Sequence, residues 1–343
     1  MNKEEFFQLK QNGKIGDRPI DALQAEYLET HISYLILLTD RVYKIKKTVK
    51  LPFLDFTSLT DRKHFCDKEL MLNKRTAASV YLDVHEIRSS NKQLIINGTV
   101  GEVVDYCVLL KRMDNNKEMD ILLKKGEVTN EQIDQLAEEI ANFHIVADEV
   151  HKDWPLHYLK MTYSQILEWS LLAGEKLGQE YKNIIQHSCK VSDKYLERNI
   201  DKINDRSKRG LIRDVHGDLH SHNIFLENPP VLFDCIEFDD DLRQIDLLNE
   251  VAFFLMDLDF YEADQLGKRF YTNYLNRMNE AGLGQLDDED LLLYYKMYRA
   301  SVRAKVELIG LEKNPSRDEY ITHMENVKKY IRLVEKYAER LHK

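Results

Sequence analysis

Residues 216–223 read His-Gly-Asp-Leu-His-Ser-His-Asn, and the acid-bearing run Leu232-Phe233-Asp234-Cys235-Ile236-Glu237-Phe238 follows shortly after. Asp218 and Asn223 have the spacing of a phosphoryl-transfer loop. There the carboxylate orients an attacking hydroxyl and the amide oxygen holds Mg²⁺ on the phosphates of ATP. Such chemistry asks little covalent help of a protein; it needs in-line positioning and neutralisation of oxygen charge. A second carboxylate must grip the same hard cation. Glu237 is placed to supply it, with Asp234 as second choice. Hydrophobic strands are expected on both sides of the loop, where a merely solvated loop would be flanked by polar sequence.

The same letters allow another chemistry. Asp218-Leu219-His220-Ser221-His222 is an Asp-x-His-x-His run of the kind that opens two-metal hydrolase sites. Those sites need further histidine and carboxylate ligands from later strands. Downstream of Asn223 the only histidines are His323 and His342, both in an expected helical tail. That ligand set cannot be completed from later sequence, so His220 and His222 read as loop-packing or substrate-side residues, and His216 as a brace.

The elements that must carry these residues follow from periodicity. Residues 20–30 suggest a short amphipathic lead-in helix. Tyr34–Leu38 and the alternating Val42–Lys47 read as strands about a turn at residues 39–41. Residues 58–78 read as helix. Tyr81–Ile87, Gln93–Ile96 and Glu102–Leu110 read as three more strands, punctuated by Ser89-Ser90-Asn91 and Asn97-Gly98. Val231–Phe238 is expected to be a strand. Beyond residue 114 the chain reads as mainly helical. Thr129 with Gln132 makes a capping box, and Ile133, Leu136, Ile140 and Phe143 form an apolar stripe ending beside a core histidine, His144. Asp246 reads as the N-cap of Leu247–Asp257, and it and Arg243 are candidate anchors of the loop. Tyr294, Tyr295 and Tyr298 read as core. The fold class is therefore α+β, with expected divisions at 1–30 (lead-in), 31–113 (a small antiparallel β-rich lobe) and 114–343 (a large helical lobe carrying the hairpin 211–238).

A phosphoryl-transfer site needs a lysine for the phosphates and an acid to hold it. Lys44 on its strand and Glu69 on the following helix are the natural pair, with Lys46 on the same face as the fallback. No glycine-rich loop precedes this strand. Ser33, Thr30 or backbone amides must grip phosphate instead. The adenine edge would meet backbone groups near Leu110–Met113, Lys111 and Met113 included.

Taken together, His216-Gly217-Asp218-Leu219-His220-x-x-Asn223 and Ile236-Glu237-Phe238 resemble the aminoglycoside phosphotransferase/choline kinase-like family, whose members have a protein-kinase-like two-lobe fold. The helix end Ile140-Ala141-Asn142-Phe143-His144 is similar to that family's helix before the substrate lobe. Residues 30–33, 43–47, Phe53-Leu54-Asp55-Phe56 and Glu69-Leu70-Met71-Leu72-Asn73 look like an uncharacterised bacterial branch of it. The resemblance spans about residues 30–260. It implies ATP- and Mg²⁺-dependent phosphorylation of a small molecule's hydroxyl, with Asp218 as catalytic base or orienting group. Asn223 and Glu237 would bind Mg²⁺, and Lys44 would touch the α/β-phosphates. Two departures stand out: Glu237 replaces the usual Asp, and Ser221-His222 replaces the usual Pro-Gly. A kinase-fold nucleotide-binding regulatory protein with little transfer is the alternative.

Composition fits an ordinary globular chain: 343 residues, 43% hydrophobic and 31% charged. Its net charge of −10 disfavours nucleic acid as a partner. Charge is unevenly spread, with a basic run at residues 41–50 and an acidic run at 234–246. Most of these charges read as solvated faces, although Asp239-Asp240-Asp241 could draw a cationic substrate. Cys66, Cys107, Cys189 and Cys235 are widely separated and read as reduced core thiols. No apolar run suits a membrane span, and residues 1–7 lack a signal-peptide core, so a cytoplasmic location is expected.

Overall fold

The computed structural model describes residues 1–51, 54–313 and 315–341; the expectations for Phe53 and His342 lie outside the described residues. The chain forms two compact units, Met1–Ile121 with Asn223–Leu242, and Leu122–His222 with Arg243–Lys343.

In the smaller unit, β-branched and aromatic runs form an eight-stranded sheet. Its order is Arg18–Pro19, Lys14–Ile15, Gln93–Ile96, Tyr81–Ser90, Glu102–Lys111, Arg41–Lys46, Ser33–Leu37, Glu26–Glu29. Every pairing is antiparallel except Lys14–Ile15 with Gln93–Ile96. Asn91 and Asn97 take positive φ at the turns beside Gln93–Ile96, where Asn is better tolerated than most residues. Alternation along Arg41–Lys46 sends Tyr43 and Ile45 into an apolar cluster with Ile36, Ile87 and Cys107. Lys44 and Lys46 therefore share the opposite face. The helix Leu59–Ala77, capped by Ser58, buries Cys66 and Leu72 together with Arg62, Glu69 and Asn73. A helix that buries three polar side chains must satisfy each of them internally.

Two expectations are corrected here. Residues 20–30 are not an amphipathic helix. Gln24 is left-handed after a single turn at Asp21–Leu23, and Glu26–Glu29 pairs with Ser33–Leu37. The sheet ladder outweighs the weak helical spacing of Ile20, Leu23 and Tyr27. The helix at this end is Lys3–Asn12, with an Asn2–Glu5 capping box. The run Val231–Phe238 is strand only at Val231–Leu232, because Asp234 has φ +63° and turns the chain out of the ladder.

The larger unit is helical, as its periodicity requires. Thr129 and Gln132 form the expected reciprocal cap, and Ile133, Leu136, Ile140 and Phe143 are buried along Asn130–Val146. Leu247–Phe260 is buried almost throughout, which suits its apolar sequence. Asp246 caps that helix through the Leu248 amide and takes Arg206 in a two-pronged pair at 2.5 and 2.9 Å. Tyr294 and Tyr295 lie in the core. The four cysteines are buried and none is in a disulfide among the described residues. No helix among the described residues is long and apolar enough to cross a membrane.

Candidate active site

The smaller unit gathers five charged groups where the Lys44 and Lys46 face of its sheet meets the helix Leu59–Ala77 and the segment Asp234–Glu237. Strand pairing sets Lys46 opposite Ser33, and Lys44 opposite Leu35 and Val108. Lys44 reaches Glu69 at 2.8 Å and Asp234 at 2.6 Å. Lys46 reaches the same Glu69 at 2.7 Å and also pairs with Glu237. Its ammonium lies 5.0 Å from the centre of the Phe56 ring. Lys46 and Glu69 are fully buried, Lys44 is 14% exposed, and Asp234 is 46% exposed.

The electrostatics follow from that enclosure. Burial alone would raise the Glu69 carboxyl, but Lys44 and Lys46 outweigh it and hold it at about 2. Burial raises the Glu237 carboxyl, helped by Glu69 and opposed by Lys46. Burial would lower both lysines; the facing carboxylates reverse this and raise them. Three carboxylates face two ammonium groups, so the cluster is formally one negative charge in excess, a setting that suits a further cation.

The segment bearing Asp234 and Glu237 owes its path to residues that sequence reasoning did not single out. The Cys235 N–H donates to Asn73 Oδ1 at 2.9 Å, and Asn73 Nδ2 donates to the Glu69 carbonyl at 2.9 Å. Thr76 Oγ1 donates to the Leu232 carbonyl at 2.8 Å. The Asp234 N–H donates to the Tyr81 hydroxyl at 3.3 Å. One helix thus aligns both the acid that holds the lysines and the backbone carrying Asp234 and Glu237. The only sequence signal was an Asn one turn after Glu69, which is not distinctive. Asn223 belongs to this unit, nearly buried, its carbonyl accepting from the Phe233 N–H at 3.1 Å.

Ser33 is fully buried and its hydroxyl has no hydrogen-bond partner, while its N–H is taken by Thr30 Oγ1 at 3.0 Å. At the expected adenine edge the Lys111 N–H donates to Val80 O and the Arg112 N–H to Asp40 O. Met113 is half-buried against the cluster containing Val108 and Phe225. The acidic turn is partly committed, since Asp240 pairs with Lys68 at 2.8 Å and Asp239 accepts from the Asp241 N–H.

Asp218 lies in the larger unit, on the loop after the strand Ile212–Asp214. That strand pairs with Gln244–Asp246, and Asp214 takes the Arg243 guanidinium at 2.7 and 2.9 Å, so Arg243 anchors the entry to the loop. Glu250 accepts the N–H groups of His216 and Gly217 at 2.8 and 2.9 Å. Arg299 donates to the Gly217 carbonyl at 3.2 Å. Gly217 has φ +86°, a conformation that a side chain would strain. His216 is buried and its Nδ1 accepts the Asp218 N–H at 3.4 Å, in keeping with a bracing part. His220 Nε2 is 3.3 Å from Asp218 Oδ2, and its ring packs on Phe253. Burial would raise the Asp218 carboxyl, but His220, Arg303 and His216 hold it well below the ordinary carboxylate range. His144 is a core residue bonded to Tyr274 at 2.9 Å.

The structure therefore brings Lys44, Lys46, Glu69, Asp234 and Glu237 together in one unit and seats Asp218 on a braced loop of the other. Comparison with known proteins adds to this geometry. The model of a phosphotransferase enzyme family (APH) matches residues 108–287, just over half of the chain. Uncharacterized proteins of Mycobacterium tuberculosis and Mycobacterium bovis are 29% identical over 297 residues, covering 82% of this chain and 54% of theirs. The chain thus spans about half the length of the curated relatives it matches. Among solved structures, a choline kinase from Cryptosporidium parvum aligns with TM-score 0.57 and 10% identity, over 98% of this chain and 97% of that one. An amicoumacin kinase, hAmiN, solved with AMP-PNP and Ca²⁺, aligns with TM-score 0.51 and 13% identity, over 97% and 93%. The fold they share with this chain is protein-kinase-like, a β-sheet N-terminal region followed by a helical C-terminal one.

Proposed function

The chain belongs to the phosphotransferase enzyme family, and from that premise we propose that it transfers the γ-phosphate of ATP, with Mg²⁺, to a hydroxyl of a small molecule. The observation that carries this reading is the ion-pair cluster of Lys44, Lys46, Glu69, Asp234 and Glu237.

The residues present fit a metal–nucleotide. The cluster's excess negative charge suits a divalent cation, with Glu237, Asp234 and Asn223 as its oxygen ligands. The orphaned Ser33 hydroxyl is a donor suited to a phosphate oxygen. Mg²⁺, when bound, would screen phosphate oxygens and so favour attack on the γ-phosphorus. Lys44 is the lysine we assign to the α/β-phosphates, since it retains some exposure. Lys46 is enclosed by Glu69 and Glu237 and serves as their internal counter-ion. Asp218, kept ionised by its neighbours, would accept a hydrogen bond from the acceptor hydroxyl and hold it in line. Backbone groups at Lys111–Met113 remain our assignment for the adenine edge. The acceptor class includes amines bearing hydroxyls, which Asp239 and Asp241 would attract. We place the reaction in the cytoplasm.

The test is thermal stabilisation by Mg·ATP, compared among the parent chain, Lys44→Ala and Glu237→Ala, followed by ADP release with hydroxylated amines and sugars. Stabilisation lost in both variants and acceptor-dependent ADP release are expected. Stabilisation without ADP release from any acceptor would favour the regulatory reading. No stabilisation at millimolar Mg·ATP would overturn both.

A further inference from the structure

Helix Leu247–Phe260 carries two fully buried carboxylates, Glu250 and Asp257, two turns apart on one face. Glu250 holds the start of the loop through the His216 and Gly217 amides. Asp257 Oδ2 accepts the Ser221 N–H at 2.8 Å, five residues further along the same loop. Its other oxygen, Oδ1, has no hydrogen-bond partner. The Arg303 guanidinium offsets the charge of this buried carboxylate, and the hydrogen bond it accepts goes to the loop backbone at Ser221. Asp218 stands between the two anchored points, and the Arg299 bond to Gly217 O adds a third hold.

We propose that Asp257 is a positioning residue for phosphoryl transfer, which holds the far end of the Asp218 loop through the Ser221 N–H. The inference rests on the reading of Asp218 given above. Asp257 acts through the backbone and touches no reacting atom. Residue 221 must then carry an N–H, a demand that excludes proline there and leaves the serine hydroxyl without a part. Its Oγ is indeed buried and unpartnered. Freed at Ser221, the loop would let the Asp218 carboxylate drift. A misplacement of about 1 Å is sufficient to cost roughly 10²-fold in rate.

The experiment compares Ser221→Pro, Asp257→Leu, Asp257→Asn and the Ser221→Pro/Asp257→Leu double variant of the full chain. Two readouts are taken: ADP release from Mg·ATP with water as acceptor, and amide hydrogen exchange across residues 216–222, with thermal melts to confirm folding. In Ser221→Pro and Asp257→Leu we expect kcat to fall about 10²-fold with KM for ATP unchanged. Exchange of the loop amides should accelerate in both. Asp257→Asn, which keeps an acceptor oxygen, should restore most of the rate, and the double variant should be no worse than either single one. Unchanged loop exchange in folded Ser221→Pro and Asp257→Leu would overturn the proposal, as would additive losses of rate. If the parent chain releases no ADP to water, loop exchange decides the anchor alone, and the phosphotransfer reading stands or falls separately on acceptor-dependent ADP release.

Discussion

Lys46 and Glu69 meet at 2.7 Å with neither side chain exposed to solvent. Such a pair is poor evidence of net stability, because desolvation cancels most of the attraction, but its one-sided removal is expensive. Lys46 also faces Glu237, so losing the ammonium strands that buried carboxylate and leaves Glu69 to Lys44 alone. Lys46→Met should cost about 3–5 kcal/mol in urea unfolding. Lys46→Met/Glu237→Gln should recover part of that loss, and failure to do so would deny Lys46 its role as a counter-ion.

Lys44 shares Glu69 but keeps a partly open ammonium beside half-exposed Asp234. Lys44→Met should therefore unfold the chain less than Lys46→Met while abolishing stabilisation by Mg·ATP. The reverse ranking in paired thermal melts would exchange the parts of the two lysines.

Asp218 is held ionised by His220, Arg303 and His216. Asp218→Asn keeps the shape and removes the charge. The rate of ADP release should fall by roughly 10²–10⁴-fold, with Mg·ATP stabilisation of the folded variant nearly unchanged. A parallel loss of nucleotide binding would mean that Asp218 supports the fold or the phosphates and not the acceptor.

The Glu69 carboxyl is depressed to about 2 in the folded chain, from an ordinary value of 4.5. The sign follows from linkage: a depressed acid contributes stability that is whole above pH 4.5 and disappears as pH falls towards 2. Glu237 is shifted the other way and opposes it. The difference in unfolding free energy between parent and Glu69→Gln should shrink steadily across that window. A pH-independent difference would remove the ion pairs as its cause.

Much of this was legible in the chain because it is local. Strand alternation set Lys44 and Lys46 on one face, the Thr129–Gln132 box and the Asp246 cap marked helix starts, and the apolar runs on either side of residues 216–223 marked a loop between short strands. Each of these depends on residues within a few positions of one another. The lead-in helix at 20–30 and the full strand at 231–238 failed for the complementary reason: a weak local pattern yielded to long-range pairing and to the bend at Asp234. Tertiary structure alone decided that Glu69 serves both lysines, that Asn73, Thr76 and Tyr81 steer the Asp234–Glu237 segment, and that Glu250 and Asp257 grip the loop of Asp218. Those are bonds between buried polar groups far apart in sequence, and no periodicity announces them, because a buried polar side chain is identified by the partner that the fold brings to it.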